Sequence, residues 1–67
     1  MNAISVLYKF DRRIGRKGLP EDQEFTRNHI PQKGDRISFR GYQGTFTVTG
    51  VHWLEGGSGP DVTVYLQ

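Results

Sequence analysis

Four cations fall within the seven residues Arg12-Arg13-Ile14-Gly15-Arg16-Lys17-Gly18. Side chains of this kind, spaced by glycines, reach several phosphates, and each phosphate neutralised releases condensed counterions. The same run also suits a plainly solvated loop. Ile14 is unexpected in such a loop, and is expected either to tuck back onto the domain or to serve as an apolar contact. Aromatic rings supply the second chemistry. Tyr42, His52, Trp53 and Tyr65 beside Arg36 and Arg40 have the make-up of a stacking platform along a cationic groove. In a protein-binding reading the same residues are hot-spot candidates. Tyr42 at a turn tip and Tyr65 on the outer phase of its strand are expected to be exposed, whereas the single tryptophan, Trp53, is expected in the core. The candidate contact residues are therefore Arg12, Arg13, Arg16, Lys17, Arg36, Arg40, Tyr42 and Tyr65.

Other chemistries find less support. His29 and His52 are the two histidines, and no metal-ligand spacing links them to Asp35 or Asp61. Gly15-Arg16-Lys17-Gly18 lacks the strand-to-helix setting of a phosphate-binding loop. No serine sits in a nucleophile elbow, and Glu21, Asp22 and Glu24 read as solvated carboxylates. No catalysis, metal, cofactor or small-molecule substrate is expected.

These residues need elements to position them. Ala3 to Phe10 alternates, with Ile4, Val6, Tyr8 and Phe10 on one side, and so reads as a strand with one buried face. Residues 11–22 form a long charged loop. Residues 23–30 carry the charge order of a short helix but too few apolar residues for a helical stripe; a strand returning antiparallel to the first explains Phe25 and Ile30 at least as well. Pro31 to Asp35 is turn chemistry. Arg36 to Arg40 alternates, with Ile37 and Phe39 inward, and Gly41 and Gly44 bracket a tight connection. Thr45 to Leu54 is the longest strand. Its apolar phase slips at Gly50, from Phe46 and Val48 to Val51 and Trp53, which suggests a β-bulge or sharp bend. Glu55 to Asp61 is a loop, and Val62 to Leu66 closes with Val62, Val64 and Leu66 inward.

With 67 residues, 34% hydrophobic and 12% aromatic, the chain is read as one domain with a thin core built on a few large side chains. The absence of cysteine rules out a disulfide framework and favours a reducing, cytoplasmic setting. No signal peptide or bilayer-spanning apolar stretch is evident, so no membrane association is expected. The net charge of +2 hides an asymmetry: residues 1–19 sum to +4, residues 20–35 to −2, and residues 36–67 to zero.

Gly34 and Asp35, Gly41 and Gly44, Val48 and Val51, then Val62 and Val64 resemble the pattern of small Src-homology-3-like barrels, especially KOW-type domains. Ile30 to Asp35 also resembles the Ile-Pro-x-x-Gly-Asp lead-in of small bacterial and phage β proteins. The resemblance covers about half the chain and implies a barrel with a binding role towards nucleic acid or protein. The expected fold is all-β: a small five-stranded antiparallel Src-homology-3-like barrel or strongly curved sheet. The expected function is a non-catalytic module contacting nucleic acid through the basic loop and exposed aromatics. The alternative is a protein-interaction module of accessory or phage type docking on a larger complex. Oligomerisation through edge strands is a third expectation.

Overall fold

A computed structural model describes residues 3–12 and 18–67. Alternation of buried and exposed side chains sets the strands: β1 (Ile4–Phe10), β2 (Gln23–Arg27), β3 (Arg36–Ile37), β4 (Phe46–Trp53) and β5 (Val62–Leu66). They form one sheet in the order β2-β1-β5-β4-β3, curled into a half-barrel. Val6, Tyr8 and Phe10 of β1, Phe46 and Val48 of β4, and Val62, Val64 and Leu66 of β5 fill the concave side. The strand reading of residues 23–30 holds for Gln23–Arg27, while residues 28–30 lie beyond the strand. β2 runs antiparallel to β1 with Phe25 opposite Val6, which puts Phe25 against the core. No helix among the described residues is long and apolar enough to cross a membrane.

One detail of the expected antiparallel sheet is corrected. β1 pairs β2 antiparallel on one side but β5 in parallel on the other, with Val6 opposite Val62 and Phe10 opposite Leu66. The cause is the path of residues 28–35. They carry the chain from the β2 edge to the far edge, burying Ile30 on the way. The β3-β4-β5 meander then returns to β1 with β5 in the same sense. Gly34, at φ 96°, supplies the left-handed backbone that ends this crossing. There the Asp35 carboxylate accepts from the Gln32 N–H (2.8 Å), and the Asp35 N–H donates to the Gln32 carbonyl (3.0 Å).

The phase slip in β4 is a bulge. Val48 faces Leu66 and Gly50 faces Tyr65, leaving Thr49 as the extra residue. Thr49 Oγ1–H donates to the Tyr65 carbonyl (3.3 Å). A Cβ at Gly50 would meet only Tyr65 Cδ2, at 3.9 Å, so space does not demand glycine here.

Trp53 departs from expectation. It shares the Val62 row at the end of β4, yet it is 55% exposed. The core is locked by Phe39 instead. Its ring lies 5.5 Å from Tyr8, 5.3 Å from Phe10, 5.8 Å from Phe46 and 6.5 Å from Phe25. Four strand-borne rings converge on one side chain that belongs to no strand.

Removing Phe39 should therefore open the fold more than its partial burial suggests. Phe39→Ala is expected to cost about 3 kcal/mol, whereas Gly50→Ala should shift stability by less than about 1 kcal/mol in either direction. Urea midpoints of the two variants check this, and equal midpoints would refute the keystone role of Phe39.

Candidate nucleic-acid interface

The sheet does not close by backbone pairing: β2 and β3 are its two free edges. Side chains span the gap between them. Phe25 from β2 and Phe39 from the segment after β3 stack at 26° between ring planes. They floor a groove of about 330 Å³ along this seam.

Local chemistry explains how the groove walls are placed. Arg27 follows Phe25 by two residues and so emerges on the same side of β2. Its guanidinium carbon sits 4.5 Å from the Phe25 ring centroid, a cation–π contact that holds the charge over the seam. On the opposite wall the Tyr42 N–H donates to the Phe39 carbonyl (3.2 Å). Gly41, at φ 86°, provides the left-handed residue of this turn. The turn sets Arg40 and Tyr42 at its tip, both exposed. Gln23 and Ser38 complete the lining. The side-chain amide of Gln23 donates to the Glu21 carbonyl (2.9 Å), which leaves its oxygen as an acceptor. Among the described residues that line the groove none is a carboxylate. Two guanidiniums, a phenol and two aromatic faces thus meet without a competing anion among them.

A second hollow of about 500 Å³ lies where β1 leaves the sheet. Lys9, Arg12 and Tyr65 line it, but so do Asp11 and Asp22. Arg12 is turned towards the acidic segment: its Nη2 donates to the Pro20 carbonyl (2.9 Å) and lies 3.6 Å from Asp22 Oδ1 and 3.9 Å from Glu21 Oε2. The opposing charges leave this hollow a poorer anion site than the seam.

The residues singled out from the sequence therefore separate. Arg40 and Tyr42 meet in the seam. Arg12 and Tyr65 line the mixed-charge hollow, with Tyr65 42% exposed on the convex face. Arg36 stands opposite Thr47 on that same convex face. Arg13, Arg16 and Lys17 lie outside the described residues. The structure adds Arg27, Phe25 and Phe39 to the seam. A sequence signal for Arg27 existed, because an arginine two places beyond a phenylalanine in a strand falls over the ring. Among the described residues no three potential metal ligands gather; His52 lies in β4, whereas His29 lies in the connection after β2. The chain was compared with known proteins, and no family model, curated protein or solved structure matches it.

The Arg12 contacts have a distinguishable energetic signature. Its carboxylate partners are 95% and 40% exposed at their side chains, so solvent and salt screen both ion pairs. The bond to the carbonyl of buried Pro20 persists. Arg12→Ala is expected to lower stability by about 1 kcal/mol, nearly equally in low and high salt. A loss that vanishes at high salt would assign the effect to the carboxylates instead.

Proposed function

We propose that this protein binds single-stranded nucleic acid along the seam between β2 and the Ser38–Tyr42 turn, without turning it over. The observation that carries this reading is the groove itself. Arg27, Arg40 and Tyr42 converge over the Phe25 and Phe39 rings, with no carboxylate among the described lining residues. Cations follow a phosphate backbone and aromatic rings receive unpaired bases, which together give sequence-tolerant affinity. A duplex hides its base faces and offers this groove only phosphates, so the single strand is the better fit. The cations Arg12, Arg13, Arg16 and Lys17 would add phosphate contacts.

The rival occupant is an extended polypeptide. Strand β2 ends the sheet, and a free strand edge pairs with an incoming chain through backbone hydrogen bonds. Such binding draws on main-chain groups and responds little to salt.

Fluorescence anisotropy with a labelled oligothymidylate of about twelve nucleotides separates the two. Affinity should fall steeply between about 50 and 200 mM salt. Arg27→Gln and Arg40→Gln should each weaken binding and lower the slope of log affinity against log salt by about one. Tyr42→Ala should weaken binding by about 1–3 kcal/mol, or roughly 5- to 150-fold. Affinity that ignores salt, or variants that bind like the parent chain, would remove the seam from consideration.

A further inference from the structure

The two edges of the sheet are guarded differently. β3 pairs with β4 through two residues, too short a run to hold a further strand. β2 offers five, Gln23–Arg27, in unbroken register with β1. Proline, lysine, a bulge and brevity are common devices that keep an edge from pairing, and β2 has none of the four.

The hydrogen bonds of β1 show which groups of β2 face outward. The Ser5 N–H donates to Asp61 Oδ2 (3.0 Å) and the Ser5 carbonyl accepts from the Asp61 N–H (2.9 Å), so the Ser5 backbone is turned towards β5. The Asp11 N–H, in the same phase of the chain, donates to the Leu66 carbonyl (2.9 Å). In an antiparallel pair, the residue opposite a position turned away is itself turned away. Ser5 stands opposite Thr26, and Leu7 opposite Glu24. The N–H and C=O groups of Glu24 and Thr26 therefore lie on the open edge, and both residues are exposed. Among the described residues these four groups receive one long bond, from the Arg27 guanidinium to the Thr26 carbonyl (3.4 Å).

This edge is complementary to itself. About a twofold axis at Phe25, Glu24 of one copy falls opposite Thr26 of the other, and each such pair exchanges two hydrogen bonds. All four outward groups of each copy are then satisfied. Phe25 meets its counterpart as an aromatic cross-strand pair. Gln23 falls opposite Arg27, so no charge directly faces its like. We propose that two copies of this chain join β2 to β2, antiparallel, in one continuous sheet. The contact is isologous and closes at two copies. Five residues a side are far fewer than a permanent interface uses, so the pair forms and separates with concentration. Phe25 also floors the seam, so a second copy and a nucleic acid exclude one another there; this one consequence rests on the nucleic-acid reading.

Sedimentation velocity in nucleic-acid-free buffer reads the pairing whether or not the seam binds nucleic acid. The mass should rise from one chain towards two, and no further, as the protein is concentrated to about 1 mM. Over the same range, amide exchange followed by NMR should slow several-fold at Glu24 and Thr26. Phe25 and Arg27, whose N–H groups face β1, should be protected throughout. Thr26→Pro removes an outward N–H and no bond to β1, a place where an edge strand accepts proline; it should be monomeric, whereas Thr26→Ala, which keeps that N–H, should still pair. Circular dichroism checks that Thr26→Pro retains the sheet, and if it does not, the amide measurement on the parent chain decides. A parent chain monomeric at about 1 mM would overturn the proposal. So would growth beyond two chains, Glu24 and Thr26 amides indifferent to concentration, or a folded Thr26→Pro that still pairs.

Discussion

The contact on which the remaining structure depends is the meeting of Phe25 and Phe39 across the gap between β2 and β3. Five strands in the order β2-β1-β5-β4-β3 leave two edges, and the sheet curls without joining them through backbone hydrogen bonds. Ring contacts do that work. Pairs of this kind contribute about 0.5–1.5 kcal/mol each beyond the area they bury, and Phe39 makes four of them. Phe39 can face several strands because it precedes a turn rather than lying within a ladder. A residue inside β3 would be committed by its register to one cross-strand neighbour.

Closing a sheet with side chains rather than hydrogen bonds has a consequence for recognition. The rings that seal the core are also the floor of the groove, so stability and binding draw on the same atoms. Deepening the groove would thin the core, and filling it with larger rings would erase the binding surface. The polar parts avoid this conflict. Arg40 and Tyr42 stand on a turn made possible by Gly41, and Arg27 lies on an edge strand; none of the three is buried. The side chains that would set specificity are thus supported by the core without belonging to it.

Much of this was legible in the chain. β1 and β5 were plain, because alternation over several residues admits one buried face. The slip read at Gly50 is a bulge one residue earlier, at Thr49, and Gly50 itself has room for a side chain; the bulge follows from where the apolar residues must point. The parallel β1–β5 pair was not legible, since pairing sense depends on how residues 28–35 cross the molecule, and no local pattern encodes that path. Trp53 and Phe39 exchanged expected roles. Alternation put both inward, but size favoured the tryptophan, while position decided for the phenylalanine: Trp53 falls at a strand end where the sheet no longer covers it. Arg27 was hidden for a related reason. Counted with the acidic segment it balances charge, and only as part of β2 does it fall over Phe25.

The same geometry turns a nearly neutral chain into an electrically uneven object. Along β1 both signs occur at each end: Glu24 and Asp61 gather on Ser5, with Arg27 opposite Ile4 beside it, and Asp11 and Asp22 share a hollow with Lys9 and Arg12. Glu21 and Asp22 lie against Arg12 and reduce the positive potential there, whereas none of the described residues lining the seam is a carboxylate. A net charge of +2 is therefore a poor guide to what the molecule attracts. Screened over a Debye length of about 8 Å at physiological salt, a partner responds to the local arrangement. Each surface of this half-barrel must accordingly be judged by its own charges, with Arg27 and Arg40 lining the seam and Asp11 and Asp22 sharing the second hollow with Lys9 and Arg12.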